Sequence, residues 1–433
     1  MKHLKKLIMF NIFNFIYWFI LSRYLWKFES EEKLLVHQNK QLEKYFINLQ
    51  KIGKFPNITF NEFKNTPYLN KKILIEKFQE YNIASLNYEQ CLEFGKKQEK
   101  TRDFSDSLKG FSIGLSSGTS GVPGVFITTK KEQIKWAAIV LGKMLPFGLI
   151  LKNLIKFKKI KIVLMLRNSN NLYKALSGVL IDFQYIDLIT DFDKYIDKLN
   201  QYSPTILVAP ATVLLHLAHQ KDKYNNLKIK PEMVISVAEV MESKEFISKV
   251  FNQPIKEIYQ ATEGFIGYTC VNNNLHLNES FLLIEKDCLD EEHFNPVITD
   301  FSRETQKIIR YKHDDILVVS KDKCKCGSAE KIIKQIVGRN DEIIQIENKT
   351  IFPEQIRQIF FTMENKIEDY LVEFFNDRKT IVVSFLPYGE MESAEIELKI
   401  NDLIDNNSIK IITKPYDLNL IHGVKKIRIR NIK

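Results

Sequence analysis

Cysteine is scarce in this sequence: five residues in 433, an odd number with no disulfide framework. That scarcity argues against a disulfide-stapled secreted domain and for a reducing cytoplasm. Long apolar runs are missing as well. The best candidate, residues 7–21, follows Lys2, Lys5 and Lys6, contains Asn11 and Asn14, and falls short of the ~20 residues a spanning helix requires. It runs into Ser22-Arg23-Tyr24 with no small-residue cleavage site. The two asparagines share one helical face, so the first expectation is an amphipathic helix covering the domain. An in-plane membrane contact through residues 7–21 comes second, and a spanning anchor or signal peptide last. Dense basic tracts are also lacking. The formal net charge is +10, but Lys156-Phe157-Lys158-Lys159 and Lys425-Lys426 are short clusters in otherwise dispersed lysine. This excludes nucleic acid as the expected partner and leaves the excess charge for anionic ligands, such as nucleotides or acidic lipid surfaces. The expected location is cytoplasmic, at most peripheral to the inner membrane face.

There is no internal repeat and no low-complexity linker, so the chain reads as two or three packed domains. From residue 160 strand and helix patterns alternate. Ile160–Leu166, Phe183–Ile189, Thr205–Ala209, Met233–Val237 and Ile255–Tyr259 read as strands. Asp191–Asn200, Ala211–Gln220 and Ser243–Phe251 read as helices. Such alternation predicts an α/β layer on a largely parallel sheet. After Gly264 the pattern turns to short strands: Leu275–Glu285, Val297–Thr299, Lys307–Tyr311 and Ile316–Ser320, a β-rich subdomain. From Asp341 a small α+β unit follows, with strands at Glu342–Ile346, Tyr370–Phe375 and Thr380–Phe385 and helices at Pro353–Thr362 and Glu392–Ile404. The expected divisions are a helical region 1–90, a large domain 91–340 and a small mobile domain 341–433.

One segment is dense in hydrogen-bond donors. Ser116-Ser117-Gly118-Thr119-Ser120-Gly121-Val122-Pro123-Gly124 carries four hydroxyl side chains among its glycines. Glycines let the backbone turn tightly and aim amide N–H groups inward, and hydroxyls add donors beside them. Such a nest suits a polyphosphate, although a Ser/Gly cluster is also an ordinary surface loop.

Three further blocks follow in order: Tyr259-Gln260-Ala261-Thr262-Glu263, Arg310-Tyr311-Lys312-His313-Asp314-Asp315 and Gly338-Arg339-Asn340-Asp341-Glu342. Together with the loop they resemble the adenylate-forming (AMP-binding) superfamily. The closest match is its branch of phenylacetate–CoA ligase-like and coenzyme F synthetase-like (CapK-type) enzymes, and the resemblance runs from about residue 90 to the end. It implies a large adenylate-forming domain with parallel sheet layers plus a β-rich subdomain, and a small α+β C-terminal domain. It also implies ATP and Mg²⁺ as cofactors. Ser116, Ser117, Gly118, Thr119, Ser120 and Gly121 would wrap the β- and γ-phosphates. Glu263 would help hold Mg²⁺, which prefers oxygen ligands and keeps several waters. Thr262 would sit beside the α-phosphate and Tyr259 against adenine. Ser236-Val237-Ala238-Glu239 resembles the family's Gly-Ala-Glu adenine loop with Val237 in place of Gly, which nominates Ala238 and Glu239. Asp315 would receive the ribose hydroxyls; its neighbour Asp314 stands where the family has Gly. Arg339 would contact ribose or phosphate, and Asp341 aligns with the hinge between domains. The family's final Gly-Lys is interrupted here as Gly423-Val424-Lys425-Lys426, with Lys425 the first choice for the catalytic cation and a basic edge strand the alternative.

A second constellation is independent of nucleotide. Cys270-x₅-His276 and Cys324-Lys325-Cys326 form two Cys/His pairs of a kind that closes a tetrahedral zinc site. Some phenylacetate-type ligases carry a structural zinc at matching positions. Cys91 and Cys288 read as core residues. Ala209-Pro210-Ala211-Thr212 is expected to line an acyl pocket, and His216 and His219 to be packed or exposed. The resemblance implies activation of a small carboxylic acid as acyl-AMP and transfer to a thiol, with CoA the default. A synthetase adenylating a cofactor hydroxyl, and a non-catalytic nucleotide-binding protein of surface-polysaccharide assembly, are the alternatives.

Overall fold

In the computed structural model, which describes residues 2–52, 58–116, 122–166, 181–188, 194–347, 349–363, 366–389, 393–405, 408–417 and 428–432, the chain opens with helices. α1 (Lys2–Ile20) runs on into a π-helical turn, Leu21–Leu25, closed by Trp26 N–H donating to Leu21 O at 2.8 Å. α2 (Glu31–Ile52) buries Leu42, Phe46 and Leu49, and its Gln38 side chain donates to the carbonyls of Glu279 and Leu282 at 2.9 and 3.0 Å. α3 (Lys71–Glu76) and α4 (Tyr88–Thr101) start at asparagine caps, Asn70 and Asn87, whose side chains accept a first-turn N–H. β1 (Ser112–Leu115) and β2 (Val125–Thr128) form a hairpin, so the Ser/Gly segment is its connecting loop.

α5 (Lys130–Met144) begins at a capping box between Thr129 and Glu132 and is followed, after a bend of 102°, by α6 (Phe147–Ile155). α1 lies along α5. The approach is close: a Cβ on Gly142 would fall 2.1 Å from Ser22 Oγ and 2.9 Å from Phe19 O, so only glycine fits that crossing.

The main sheet has seven strands in the order β4-β3-β5-β6-β7-β8-β9. They are β3 (Ile160–Leu166), β4 (Ile181–Asp187), β5 (Ile206–Pro210), β6 (Met233–Val237), β7 (Ile255–Ala261), β8 (Gly264–Thr269) and β9 (Leu275–Leu277). The first five positions pair in parallel; β8 and β9 close the edge antiparallel. α7 (Tyr195–Tyr202), α8 (Ala211–Asp222) and α9 (Lys244–Phe251) intervene. Parallel strands covered on both faces must be apolar on both. Ile162, Leu164, Ile206, Val208 and Ile235 face the α1/α5 side. Val163, Met165, Leu207 and Val234 face Leu199, Leu214, Leu217 and Ile247 of α7, α8 and α9.

A second, antiparallel sheet orders β10-β11-β13-β14, with β12 paired to β11. Its strands are β10 (Leu282–Cys288), β11 (Phe294–Asp300), β12 (Tyr311–Lys312), β13 (Asp315–Val319) and β14 (Ile333–Arg339). Two sequence expectations change here. Leu275–Glu285 divides between the sheets, because Leu282 N–H and Phe281 N–H turn back onto Asn278 O. Of Lys307–Tyr311 only Tyr311 is in a strand, as the start of β12. Arg310 takes φ +47, and its guanidinium reaches Glu285 and the carbonyls of Lys64 and Thr66, a long-range tie that overrides local strand preference.

The C-terminal unit carries a hairpin, β15 (Ile344–Ile346) and β16 (Lys349–Ile351), then α10 (Pro353–Phe361). β17 (Ile367–Phe375), β18 (Thr380–Pro387), α11 (Ser393–Ile404), β19 (Lys410–Pro415) and β20 (Ile429–Ile432) complete it as a four-stranded sheet, order β19-β18-β17-β20, under two helices. Its own core joins Val372, Phe374, Ile381 and Val383 to Ile356, Phe360, Ile396 and Ile400. The architecture is therefore α/β with a β-rich sheet and a small α+β unit.

Candidate active site

The C-terminal ends of parallel strands, the turn between β7 and β8, and the loops around β12–β14 open onto one cleft of about 970 Å³. This is where open α/β sheets hold ligands. Ser116, Ala238, Glu239, Tyr259, Thr262, Glu263, Asp315 and Arg339, separated by up to 223 residues in sequence, all line it. Ser117, Gly118, Thr119, Ser120, Gly121 and Lys425 lie outside the described residues.

The two ends of the Ser/Gly segment are tied together. Ser116 N–H donates to Gly124 O at 2.8 Å, and Gly124 N–H to Ser116 Oγ at 2.6 Å. Thr262 Oγ1 is the next neighbour of Gly124, 3.6 Å from where its Cβ would stand. The Thr262–Glu263 turn thus abuts the base of the Ser/Gly segment at Gly124.

Glu263 and Asp315 are bridged by a residue the sequence reading passed over. His313 Nε2 lies 3.5 Å from Glu263 Oε2, and its Nδ1 lies 3.4 Å from Asp315 Oδ2 and 3.1 Å from the Asp315 amide nitrogen. Burial alone would lower His313, but Asp315, Glu263 and Asp314 lift it to about 9. The imidazolium takes the Asp315 carboxylate; the neutral ring takes the Asp315 amide on Nδ1. Glu263 is pushed up by burial, yet the His313 hydrogen bond and charge, with Thr262, hold it down at about 2. The signal was a histidine inside the block Arg310-Tyr311-Lys312-His313-Asp314-Asp315, two residues before Asp315.

The two adjacent aspartates have different surroundings. Asp315 Oδ2 accepts from the Tyr259 hydroxyl at 2.7 Å and faces the cleft. Asp314 pairs with Arg339 Nη2 at 3.4 Å, and Arg339 Nε also reaches Asp341 at 3.4 Å. Desolvation keeps the Tyr259 hydroxyl protonated, with the Asp315 charge adding to it. Glu239 turns its carboxylate to the start of α8, accepting from Thr212 N–H at 2.9 Å and Thr212 Oγ1 at 2.8 Å. Ala238 beside it holds φ +67, a left-handed conformation uncommon for a residue with a side chain. Lys71 of α3 also lines the cleft. Burial, then the Arg339 charge, lowers it.

The small unit reaches the same cleft through two arginines. Arg357 donates to Val337 O at 2.6 Å and Glu342 at 2.8 Å, and lies 3.5 Å from Glu242. Arg428, half-buried with its guanidinium 5.0 Å from the Tyr370 ring centre, pairs with Glu242 and Asp369. Pro210, Ala211 and Thr212 line the cleft, whereas His219 meets Tyr388 Oη at 3.0 Å on the domain contact and His216 packs near Tyr195.

The Cys/His set is assembled away from this cleft. Cys270 follows β8, His276 is in β9, and Cys324 and Cys326 are in the β13–β14 connection. Their ligand atoms all lie within 4.8 Å of one another. Tetrahedral zinc with bonds of about 2.3 Å to sulfur and 2.0–2.1 Å to nitrogen demands edges near ~3.8 Å for S···S and ~3.6 Å for S···N. Cys270 Sγ···Cys324 Sγ is 3.7 Å and Cys326 Sγ···His276 Nε2 is 3.6 Å. His276 Nδ1 donates to Glu330 O at 2.7 Å, leaving Nε2 as the ligand, the orienting bond metal-binding histidines use. Glu330 is itself locked by Lys143 at 3.1 Å, Tyr268 at 2.5 Å and the Ser280 N–H at 2.9 Å. The donor set fits zinc, with all four positions filled by protein.

No family model and no curated protein matches the sequence. Solved structures do. 2-Hydroxyisobutyryl-CoA ligase in the postadenylation state, in complex with R3-HIB-AMP, superposes with TM-score 0.65 at 13% identity, over 94% of this chain and 91% of that one. The same ligase with 2-HIB-AMP and CoA in the thioesterification state gives 0.50 at 15%, over 93% and 89%. Fatty acyl-adenylate ligases from E. coli and L. pneumophila give 0.50 at 11%, over 72% and 67%. The fold is that of the adenylate-forming ligases.

Proposed function

We propose that this protein is an ATP-dependent adenylate-forming ligase of the phenylacetate–CoA ligase-like branch, activating a carboxylic acid as acyl-AMP and passing the acyl group to a thiol such as CoA. The observation that carries it is the convergence of four separated sequence blocks on one cleft of adenylate-forming geometry. An acid oxygen attacks the α-phosphorus of ATP, the bond to the bridging oxygen breaks, and pyrophosphate leaves with the electron pair. A thiol sulfur then attacks the acyl carbon, its proton passes to solvent, and AMP leaves.

The chain's part is placement and charge. Asp315 accepts from the ribose hydroxyls, as a carboxylate can from two donors at once. Tyr259 flanks the base and fixes Asp315. Arg339 and Lys71 put cationic charge on the cleft wall, and Lys425 would bring the cation of the adenylation step. Glu263, low in pKa and beside Thr262, would supply the carboxylate for Mg²⁺, which neutralises phosphate charge. The higher likeness to a postadenylation state than to a thioesterification state supports a small unit seated on the adenylation side, where Arg428 and Arg357 meet Glu242. Cys270, His276, Cys324 and Cys326 would hold a structural zinc that ties the edge of the main sheet to the β13–β14 connection. The test is release of AMP. Thioester formation liberates it, whereas adenylation of a cofactor hydroxyl retains it on the product and would replace this reading.

A further inference from the structure

The N-terminal helix is built the wrong way round for a surface helix. Its inner face, Phe15, Trp18, Phe19 and Ser22, packs on α5. Its outer face is a stripe of Met9, Phe13, Ile16, Tyr17, Ile20 and Tyr24, spaced by three and four residues and 44–73% exposed. A water-facing helix side carries polar residues. Next to it lies a second apolar surface. Arg23 donates to Gly142 O at 3.2 Å and Leu145 O at 2.6 Å, which brings the end of the π-helical turn to the start of α6. From there Phe147, Leu151, Leu154 and Ile155 are exposed, and Phe157, in the turn after α6, is 98% exposed.

The chain segments that form both surfaces carry charge of one sign. Residues 1–28 contain no Asp or Glu but include Lys2, Lys5, Lys6, Arg23 and Lys27. Residues 133–181 likewise contain no acid, and Lys156, Lys158 and Lys159 flank Phe157. The acid that does reach α6, Glu232, is paired with Lys152 at 2.7 Å.

We infer that the outer face of α1 and the adjoining α6 seat the protein in the plane of an anionic lipid surface. Apolar side chains would enter the acyl boundary and lysines meet the headgroups, with Tyr17 and Tyr24 as amphipathic rings at the interface. No single described helix is long and apolar enough to cross a membrane, α5 and α6 pass that test only as a pair bent by 102°, and the inner face of α1 is committed to α5. A second copy is a poor occupant: a two-fold contact would set this basic rim against itself. The inference stands on this face alone, independent of the ligase reading.

Co-sedimentation of the full chain with vesicles tests it. One set is phosphatidylcholine alone, and the other contains about one third phosphatidylglycerol. The expected result is at least about tenfold stronger binding to the anionic vesicles, weakening as salt rises. Phe13→Ser with Ile16→Ser, and separately Lys156→Glu with Lys158→Glu and Lys159→Glu, should each lower that binding by about tenfold or more at unchanged melting temperature. These side chains are exposed, so an intact fold is expected, and melting confirms it. Equal binding to neutral and anionic vesicles, or folded variants that bind like the parent, overturns the inference. So does a concentration-dependent dimer abolished by the same substitutions, which would make a second copy the occupant.

Discussion

Gly338 is the position where one methyl group should do most damage. It lies near the end of β14, directly before Arg339, with φ +142, a conformation essentially reserved for glycine. An added Cβ would stand 2.6 Å from Glu342 Oε2 and 2.8 Å from Pro353 Cβ and Cγ. Neither neighbour can step aside. Glu342 is held by Arg357 at 2.8 Å and the Arg339 N–H at 3.2 Å, and Pro353 is a buried ring at the start of α10. Backbone strain of about 1–3 kcal/mol and an overpacking cost of similar size give roughly 3 kcal/mol for Gly338→Ala. For a cooperative unit of 150–250 residues that is a fall of about 6–12 °C in Tm. Because Arg339 follows directly, the KM for ATP should rise as well. Gly148→Ala is the contrast: it lies in α6, nothing stands within 4 Å of the added Cβ, and a gain of about 0.5–1 kcal/mol is expected. Differential scanning fluorimetry with an ATP titration of turnover reads both. A Gly338→Ala protein within about 1 °C of the parent and with the same KM would refute the reasoning.

Asp315→Ala should raise the KM for ATP by about tenfold or more, and Asp314→Ala by less, because only Asp315 is tied to Tyr259 at the cleft. A reversed order would make Asp314 the ribose anchor. Purification without chelator should yield one zinc per chain. Cys324→Ser with Cys326→Ser should lose the metal and lower Tm before it alters chemistry. Zinc below about 0.2 per chain in the parent, or retained in the variant, would rule the site out. Lys307, buried beneath the Tyr45 ring, is lowered from its ordinary 10.5 to about 8, chiefly by desolvation. Below about 8 it is protonated folded and unfolded, and the full cost of the buried charge is present. As pH climbs toward 10.5 the unfolded chain keeps more protons, so stability rises, by up to about 3 kcal/mol. Denaturant titrations across that window should show the rise in the parent and a smaller one in Lys307→Met; equal slopes count against it.

Much of the fold was legible because its signals are local. Apolar runs such as Ile160–Leu166 and Met233–Val237 must be buried on both faces, and they are. What escaped was decided by distant partners. The Lys307–Tyr311 run has strand composition, yet Arg310 is fixed by residues 25 and more than 240 positions away. The break in Leu275–Glu285 is set by the Asn278 turn and by Gln38 of α2. The candidate site was legible as blocks of residue types. The bridging of Glu263 and Asp315 by His313, and the meeting of Arg357 and Arg428 at Glu242, were not, since no spacing encodes which loops the sheet brings together.

The central claim is that this cleft makes acyl-AMP. The direct measurement is exchange of labelled pyrophosphate into ATP across a panel of carboxylic acids. The account predicts acid-dependent exchange that needs Mg²⁺ and falls by at least about tenfold in Thr119→Ala with Ser120→Ala. Exchange that ignores the acid, or a loop variant that exchanges as fast as the parent with a cognate acid, would contradict it.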